Sequence, residues 1–335
     1  MNMKCVCTLA GAAAMGALLA CHGDSSTGPG AEHPEAVSFL RNMPNHIESR
    51  LMVMEVGTAV ATAITPVSDT VTAAYAWAPD GETVAYVSTS RRGVYLVSRD
   101  GSNPHLLART DTLPGAAFLR WSPDGTRLVL GSGFALAVVR ADGGGTPTLI
   151  DLPNGADFPA WSPDSRTIAF TSQGKLALYV PGAAPRYVTM PSSGAHPDWN
   201  PDGGTLAYDD GTAIWIANAD GTQPRKVQTQ CPPGSACAGM RFSFPHWSPD
   251  GLRFVTYVVD GGRVAVMNAD GANVRTVAGL STLSYSHPSW MPDGRVLFLS
   301  DRSGTEAPYF MAADTTGAVR ITTGAFYDDV VKRVP

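Results

Sequence analysis

Charge is scarce in these 335 residues: Asp, Glu, Lys and Arg together make up 16%, and neither sign dominates, with 24 Lys plus Arg against 29 Asp plus Glu and a net charge of -5. Without a basic stripe to neutralise phosphates, a nucleic-acid partner is not expected. Aromatic residues amount to 8%. The apolar stretch from about Thr8 to Ala20 has 13 residues, too few to cross a bilayer as a helix. The chain has five cysteines and no CxxC metal or redox spacing, and no GxSxG, HExxH, Walker loop or GxGxxG motif occurs. Gly143-Gly-Gly145 precedes no helical pattern and reads as a turn, not a phosphate cradle. What is plentiful is Gly (35) and Pro (26), beside 44% hydrophobic residues. That mixture excludes coiled coils, helical bundles and disordered tails, and it favours many short strands joined by tight turns, an all-β chain.

An internal repeat then fixes the architecture. Trp77-Ala-Pro-Asp-Gly81, Trp121-Ser-Pro-Asp-Gly125, Trp161-Ser-Pro-Asp-Ser165, Trp199-Asn-Pro-Asp-Gly203, Trp247-Ser-Pro-Asp-Gly251 and Trp290-Met-Pro-Asp-Gly294 recur at spacings of 44, 40, 38, 48 and 43 residues. A period near 43 is that of a four-stranded propeller blade. Pro presets φ for the turn, Asp bonds its own backbone and Gly reverses the chain. Each turn leads into a β-rich run, such as Thr83-Val-Ala-Tyr-Val87 or Thr205-Leu-Ala-Tyr208, and a second turn closes the third strand, as in Asn218-Ala-Asp-Gly221 and Asn268-Ala-Asp-Gly271. The motif aspartates Asp80, Asp124, Asp164, Asp202, Asp250 and Asp293 are therefore read as turn builders and the tryptophans as packing between blades.

Six full repeats leave strand-like segments at both ends. Ala36 to Arg41, Arg50 to Glu55 and Ala59 to Ile64 match the second, third and fourth strands of a blade, and Phe326 to Lys332 has first-strand character. Joined, they make a seventh blade, and the 300 residues from 36 to 335 hold seven units at the mean spacing of 42.6. The expectation is a seven-bladed β-propeller of four-stranded antiparallel blades; a six-bladed ring with loose ends is the alternative. The WxPDG and NADG repeats resemble those of TolB-type β-propellers, with related repeats in the propellers of prolyl-oligopeptidase-type enzymes and in oligogalacturonate lyases. The resemblance implies the fold and a periplasmic setting. TolB's six-bladed count and its leading α/β domain are not matched here, and no peptidase domain is expected after the blades.

The N-terminus carries a signal-peptide pattern: Lys4, then the short apolar run, then Leu18-Leu-Ala-Cys21, which resembles the lipobox of bacterial lipoproteins. In that family the chain is cut before the cysteine, here Cys21, which is then acylated. The polar run from 22 to 35 reads as a flexible tether. The expected organisation is thus a signal peptide at 1–20, a tether at 21–35 and a propeller at 36–335, with lipid attachment at Cys21; His22 after the cysteine implies, by resemblance to the sorting rule of enterobacteria, the outer membrane facing the periplasm. Cys231 and Cys237 bracket Pro-Pro-Gly-Ser-Ala, a turn-prone loop short enough for a local disulfide in an oxidising space; a zinc or catalytic pair is the lesser alternative.

Function is expected on the face opposite the uniform turns, where loops of varied length connect the blades. Three residues before each Trp stand Ala74, Phe118, Phe158, His196, Phe244 and His287, with Tyr75, Arg120, Asp198 and His246 close by. One reading is that the two His-Pro histidines cap strand starts by bonding a backbone carbonyl. The other is a pocket at the channel mouth made of Phe118, Phe158, His196, Phe244, His246 and His287, fit for a peptide segment or sugar. The leading function is a non-catalytic envelope binding module that docks a protein or peptide partner; the alternative is a carbohydrate-active lyase or hydrolase at the channel mouth. No cofactor or metal is expected.

Overall fold

The computed structural model describes residues 35–333 except 43–48, 57, 59, 111–116, 132–134, 153–154, 232–233, 235–236, 278–287, 301–302, 304–306 and 322–327. Among the described residues all 28 regular elements are β-strands, arranged as seven four-stranded antiparallel sheets. Blade 1 is built from both ends of the chain. Its innermost strand is Asp328–Arg333, which pairs with Ala36–Asn42, followed by Ser49–Glu55 and Ala61–Ala63. Blades 2 to 7 follow in order, and their innermost strands are Val71–Trp77, Phe118–Trp121, Asp157–Trp161, Ala195–Trp199, Phe242–Trp247 and Ser289–Trp290. The protein is a seven-bladed β-propeller. Its closing strand pairs the two termini, so no blade is left with an open inner edge there.

Each motif aspartate does the same work. In the first turns Asp80, Asp124, Asp164, Asp202, Asp250 and Asp293 accept the backbone N–H two residues on, at 2.7 to 3.0 Å. In the second turns Asp100, Asp142, Asp220, Asp270 and Asp314 repeat the bond at 2.8 to 3.0 Å. The residue after the first-turn aspartate takes a left-handed φ, 70° at Gly125 and 61° at Ser165, where serine replaces the usual glycine. Ser165 gives something in return: its Oγ accepts the N–H of Asp124 in the preceding blade at 3.0 Å.

Between the blades lie apolar layers of Val, Ile, Leu, Phe and Tyr, one cluster per interface. The repeat tryptophans seal these layers and tie them together. The indole N–H of Trp121 donates to the carbonyl of Ala76 at 2.9 Å, that of Trp199 to Ala160 at 3.2 Å and that of Trp290 to His246 at 3.1 Å. In each case the acceptor belongs to the preceding blade, one residue before its own Trp. Trp77 meets blade 1 instead through Ser38 Oγ, at 2.8 Å.

Candidate functional site

Proline shapes the mouth of the channel. Phe158, His196 and Phe244 each precede a proline, and each holds a left-handed φ of 53°, 51° and 55°. Proline cannot donate to a β-ladder, so it is tolerated in a strand mainly at a bulge. The pairing register of these three strands does shift there, between Asp157 and Ala160, Ala195 and Asp198, and Ser243 and His246. A left-handed φ at a non-glycine residue is a backbone cost, and the bulge uses it to turn the ring of the same residue toward the mouth.

The rings so aimed form one continuous crescent across four consecutive blades. Phe118 and Phe158 lie 4.5 Å apart by ring centroid, Phe158 and His196 4.2 Å, and His196 and Phe244 3.4 Å. Phe158 also reaches Phe244, two blades away, at 5.8 Å and nearly at right angles. All four side chains remain partly exposed. At the equivalent position of the neighbouring blade 2 stands the buried Ala74.

A buried carboxylate holds His196. Its Nδ1 lies 2.7 Å from Asp209 Oδ2. Asp209 is 1% exposed and also accepts from Gly211 N (2.9 Å), Ser243 Oγ (3.0 Å) and Phe244 N (3.0 Å). This single buried carboxylate thus fixes the bulges of blades 5 and 6 together. It also holds the imidazole with Nδ1 inward. Beside them burial pushes the Asp157 carboxyl up, with His196 opposing.

Two residues further along the innermost strands, on the same face, Arg120, Asp198 and His246 stand directly before their tryptophans and face the channel. The accessible fractions of the Asp198 and His246 side chains are 29% and 37%, yet the blades ring them, so what they meet is confined channel water. Burial pushes Asp198 up to about 7, against the pull of the Trp247 N–H (2.8 Å to Oδ2) and the Arg120 charge. Burial likewise brings His246 down to about 4, with Arg120 and His196 adding repulsion; its Nδ1 is 3.8 Å from Asp198 Oδ2. Burial lowers Arg120 as well, partly offset by Asp198. At neutral pH the channel therefore carries a guanidinium, a neutral imidazole and a carboxyl near its midpoint. Among the described residues no three His, Cys, Asp or Glu are grouped to hold a metal ion.

Of the residues singled out from sequence, Phe118, Phe158, His196 and Phe244 come together, and His246 lies next to Asp198. His287 falls outside the described residues, as does Cys21. Tyr75 is not at the mouth: it is fully buried, and its hydroxyl donates to the carbonyl of Ser38 at 3.1 Å. Strand alternation turns it away from the channel, toward blade 1. Cys231 and Cys237 are disulfide-bonded with Cα atoms 5.8 Å apart. Asp209 was missed, although the repeat carried a signal for it. Ten residues after Trp the other blades have Val87, Gly131, Thr171, Tyr257 and Ser300, and blade 5 alone has a carboxylate.

No family model matches the chain. It is 33% identical over 111 residues to the uncharacterised peptidase YuxL of Bacillus subtilis, covering 28% of this chain and 16% of that protein. An uncharacterised protein of Agrobacterium fabrum is 26% identical over 237 residues, 64% of this chain and 65% of the relative. The chain thus matches less than two thirds of either relative. Among solved structures, TolB from Acinetobacter baumannii superposes with a TM-score of 0.50 at 18% identity, over 72% of this chain and 63% of that one. An oligogalacturonate lyase in complex with manganese gives 0.61 at 21% identity (82% and 83% covered), and a puromycin hydrolase gives 0.67 at 14% (87% and 52%). The chain shares its propeller fold with all three. At such identities the likeness is one of fold, and function has to be argued from the site.

Proposed function

We propose that this protein is a lipid-anchored binding module of the bacterial envelope, held by Cys21 on the outer membrane and docking a protein or peptide partner on the loop-bearing face of blades 3 to 6. The observation that carries the reading is the crescent of Phe118, Phe158, His196 and Phe244, partly exposed and held by three left-handed backbone residues. Partly exposed aromatic surface and backbone strain both cost stability in a free monomer. Recognition surfaces keep such features because rigid rings bind with little further loss of entropy. The fold shared with TolB and the lipobox residues Leu18 to Cys21 support the envelope setting.

Crosslinking in native envelopes, read by mass spectrometry, tests the docking. The same partner should be captured by the wild type and lost with Phe158→Ala plus Phe244→Ala, and unchanged capture by the double variant overturns it. Retention of Cys21→Ala in the membrane pellet after a carbonate wash refutes the anchor.

A second reading, an enzyme acting on a carbohydrate inside the channel, is favoured by one observation. Asp198 and His246 sit side by side with their pKa values displaced toward and away from neutrality, at about 7 and about 4. Such separation is how active sites assign acid and base roles. Depolymerisation of an acidic oligosaccharide that disappears with Asp198→Asn establishes it.

A further inference from the structure

We infer that the channel beneath the aromatic crescent receives the free C-terminal carboxylate of a peptide, clamped by Arg120, with the last, apolar side chain of that peptide resting against Phe118, Phe158 and Phe244. The inference rests on the binding-module reading and names the ligand chemistry of that site.

The key observation is that, among the described residues, no carboxylate contacts the Arg120 guanidinium, although the Asp198 charge acts on it from a distance. Six other arginines, Arg91, Arg127, Arg140, Arg241, Arg253 and Arg295, each contact a carboxylate. The Arg120 guanidinium donates only to its neighbouring carbonyl, Leu119 O, at 2.9 Å, and among the described residues it has no carboxylate partner. In the same place on the other innermost strands stand Ala76, Ala160, Asp198, His246 and Ser289. Arg120 is solvent-accessible, yet the blades around it desolvate the guanidinium enough to lower its pKa. A cation in such a site gains more from an anion than a surface lysine would. The guanidinium's planar fork fits a carboxylate in two parallel hydrogen bonds.

The candidate anion of the protein itself, Asp198, is otherwise engaged. Its Oδ2 accepts the N–H of Trp247 and lies close to His246. When protonated, Asp198 can donate to the incoming carboxylate, whereas its charged form repels it, and burial brings its pKa up to about 7. The other titratable groups facing this space are His246, His196 with its buried partner Asp209, and Asp157, while the innermost strand of blade 1 carries Asp328 and Asp329. A peptide end suits the geometry better than a free anion. It brings a carboxylate and a side chain together in one residue, and the channel offers a guanidinium and a ring two residues apart on one strand, Arg120 and Phe118.

The test uses the full mature chain against an array of peptides attached through their N-termini, displayed once with free carboxylates and once amidated. Peptides ending in Phe, Leu or Met should bind only in the free-carboxylate form. For a peptide so found, Arg120→Met should weaken binding by about 100-fold and Arg120→Lys, which keeps the charge and loses the fork, by about tenfold. Unchanged thermal melts of both variants certify the fold. Affinity of the wild type should rise between pH 8 and pH 6, as Asp198 takes up its proton, and Asp198→Asn should bind at pH 8 as tightly as the wild type does at pH 6. If binding ignores amidation and Arg120→Met yet falls with Phe158→Ala, the carboxylate clamp is wrong and the docking crescent stands. If no peptide binds and an acidic oligosaccharide does so through Arg120, the peptide is wrong and the channel serves the second reading. If neither binds, the inference falls.

Discussion

The two ends of the same innermost strands behave in opposite ways. At the turn end blades 2 to 7 repeat one construction, an aspartate accepting the N–H two residues on, eleven times over at nearly the same distance. At the mouth end the equivalent position holds Ala74, Phe118, Phe158, His196 and Phe244, and the rings touch one another across blades. A repeat protein keeps what each unit needs to fold and varies what the assembly as a whole presents. The turns serve the blade. The mouth belongs to no single blade, which is why the proposed binding surface is the mouth.

The sharpest way to break this contrast is to open the ring. Removing residues 326 to 335 deletes the strand Asp328–Arg333 that closes blade 1 against Ala36–Asn42. A fall in melting temperature of about 10 °C or more is expected, since an inner strand edge and the apolar face beneath it become exposed. An unchanged melt would mean that the closing blade contributes little.

Asp209→Ala comes next. It orphans four donors in a buried site, so a loss of about 3 kcal/mol by urea denaturation is expected. A smaller cost, near that of a turn aspartate, would show that the bulges of blades 5 and 6 hold without it. Asp124→Ala and Asp202→Ala each remove one side-chain to backbone bond beside solvent, for about 1 kcal/mol apiece in the same assay.

The smallest effect is a slope with pH. Hydrogen bonds from Ser162 and from the Arg166 N–H hold the Asp164 carboxyl below its ordinary value, and Ser248 and the Leu252 N–H do so for Asp250. A carboxyl depressed in the folded state stabilises fully above its unfolded pKa and ceases to do so as pH falls through the folded one. The melting temperature should therefore hold from pH 7 to about 5 and decline below about 4, and the decline should be shallower in Asp164→Asn plus Asp250→Asn.

Blade number and turn chemistry were legible in the sequence because each depends on contacts within one repeat. Trp, Pro, Asp and Gly stand at fixed offsets, and local turn physics needs nothing else. The ends could be joined because residues 36 to 64 supplied three strands where four were needed. Contacts between repeats were harder to read. The offset of three from Trp did locate the crescent, but Tyr75, one residue further along, belongs to the layer against blade 1 because strand side chains alternate. The bulges were announced by Phe-Pro and His-Pro steps at 158, 196 and 244, yet a proline does not say which way the preceding ring will turn. The role of Asp209 depends on His196, Ser243 and Phe244, which lie 13 to 35 residues away, so its own repeat shows only that a carboxylate is out of place there. The carboxyl of Asp198 and the imidazole of His246 acquire their displaced pKa values only from the enclosure that seven blades create.

One experiment compares the two ends directly: native-envelope crosslinking and a thermal melt on the same pair of double variants, Phe158→Ala with Phe244→Ala at the mouth and Asp124→Ala with Asp202→Ala in the turns. The mouth pair should lose its partner while melting close to the wild type, and the turn pair should melt lower while capturing the partner as before. Capture lost by the turn pair and kept by the mouth pair would place the working face on the opposite side of the propeller.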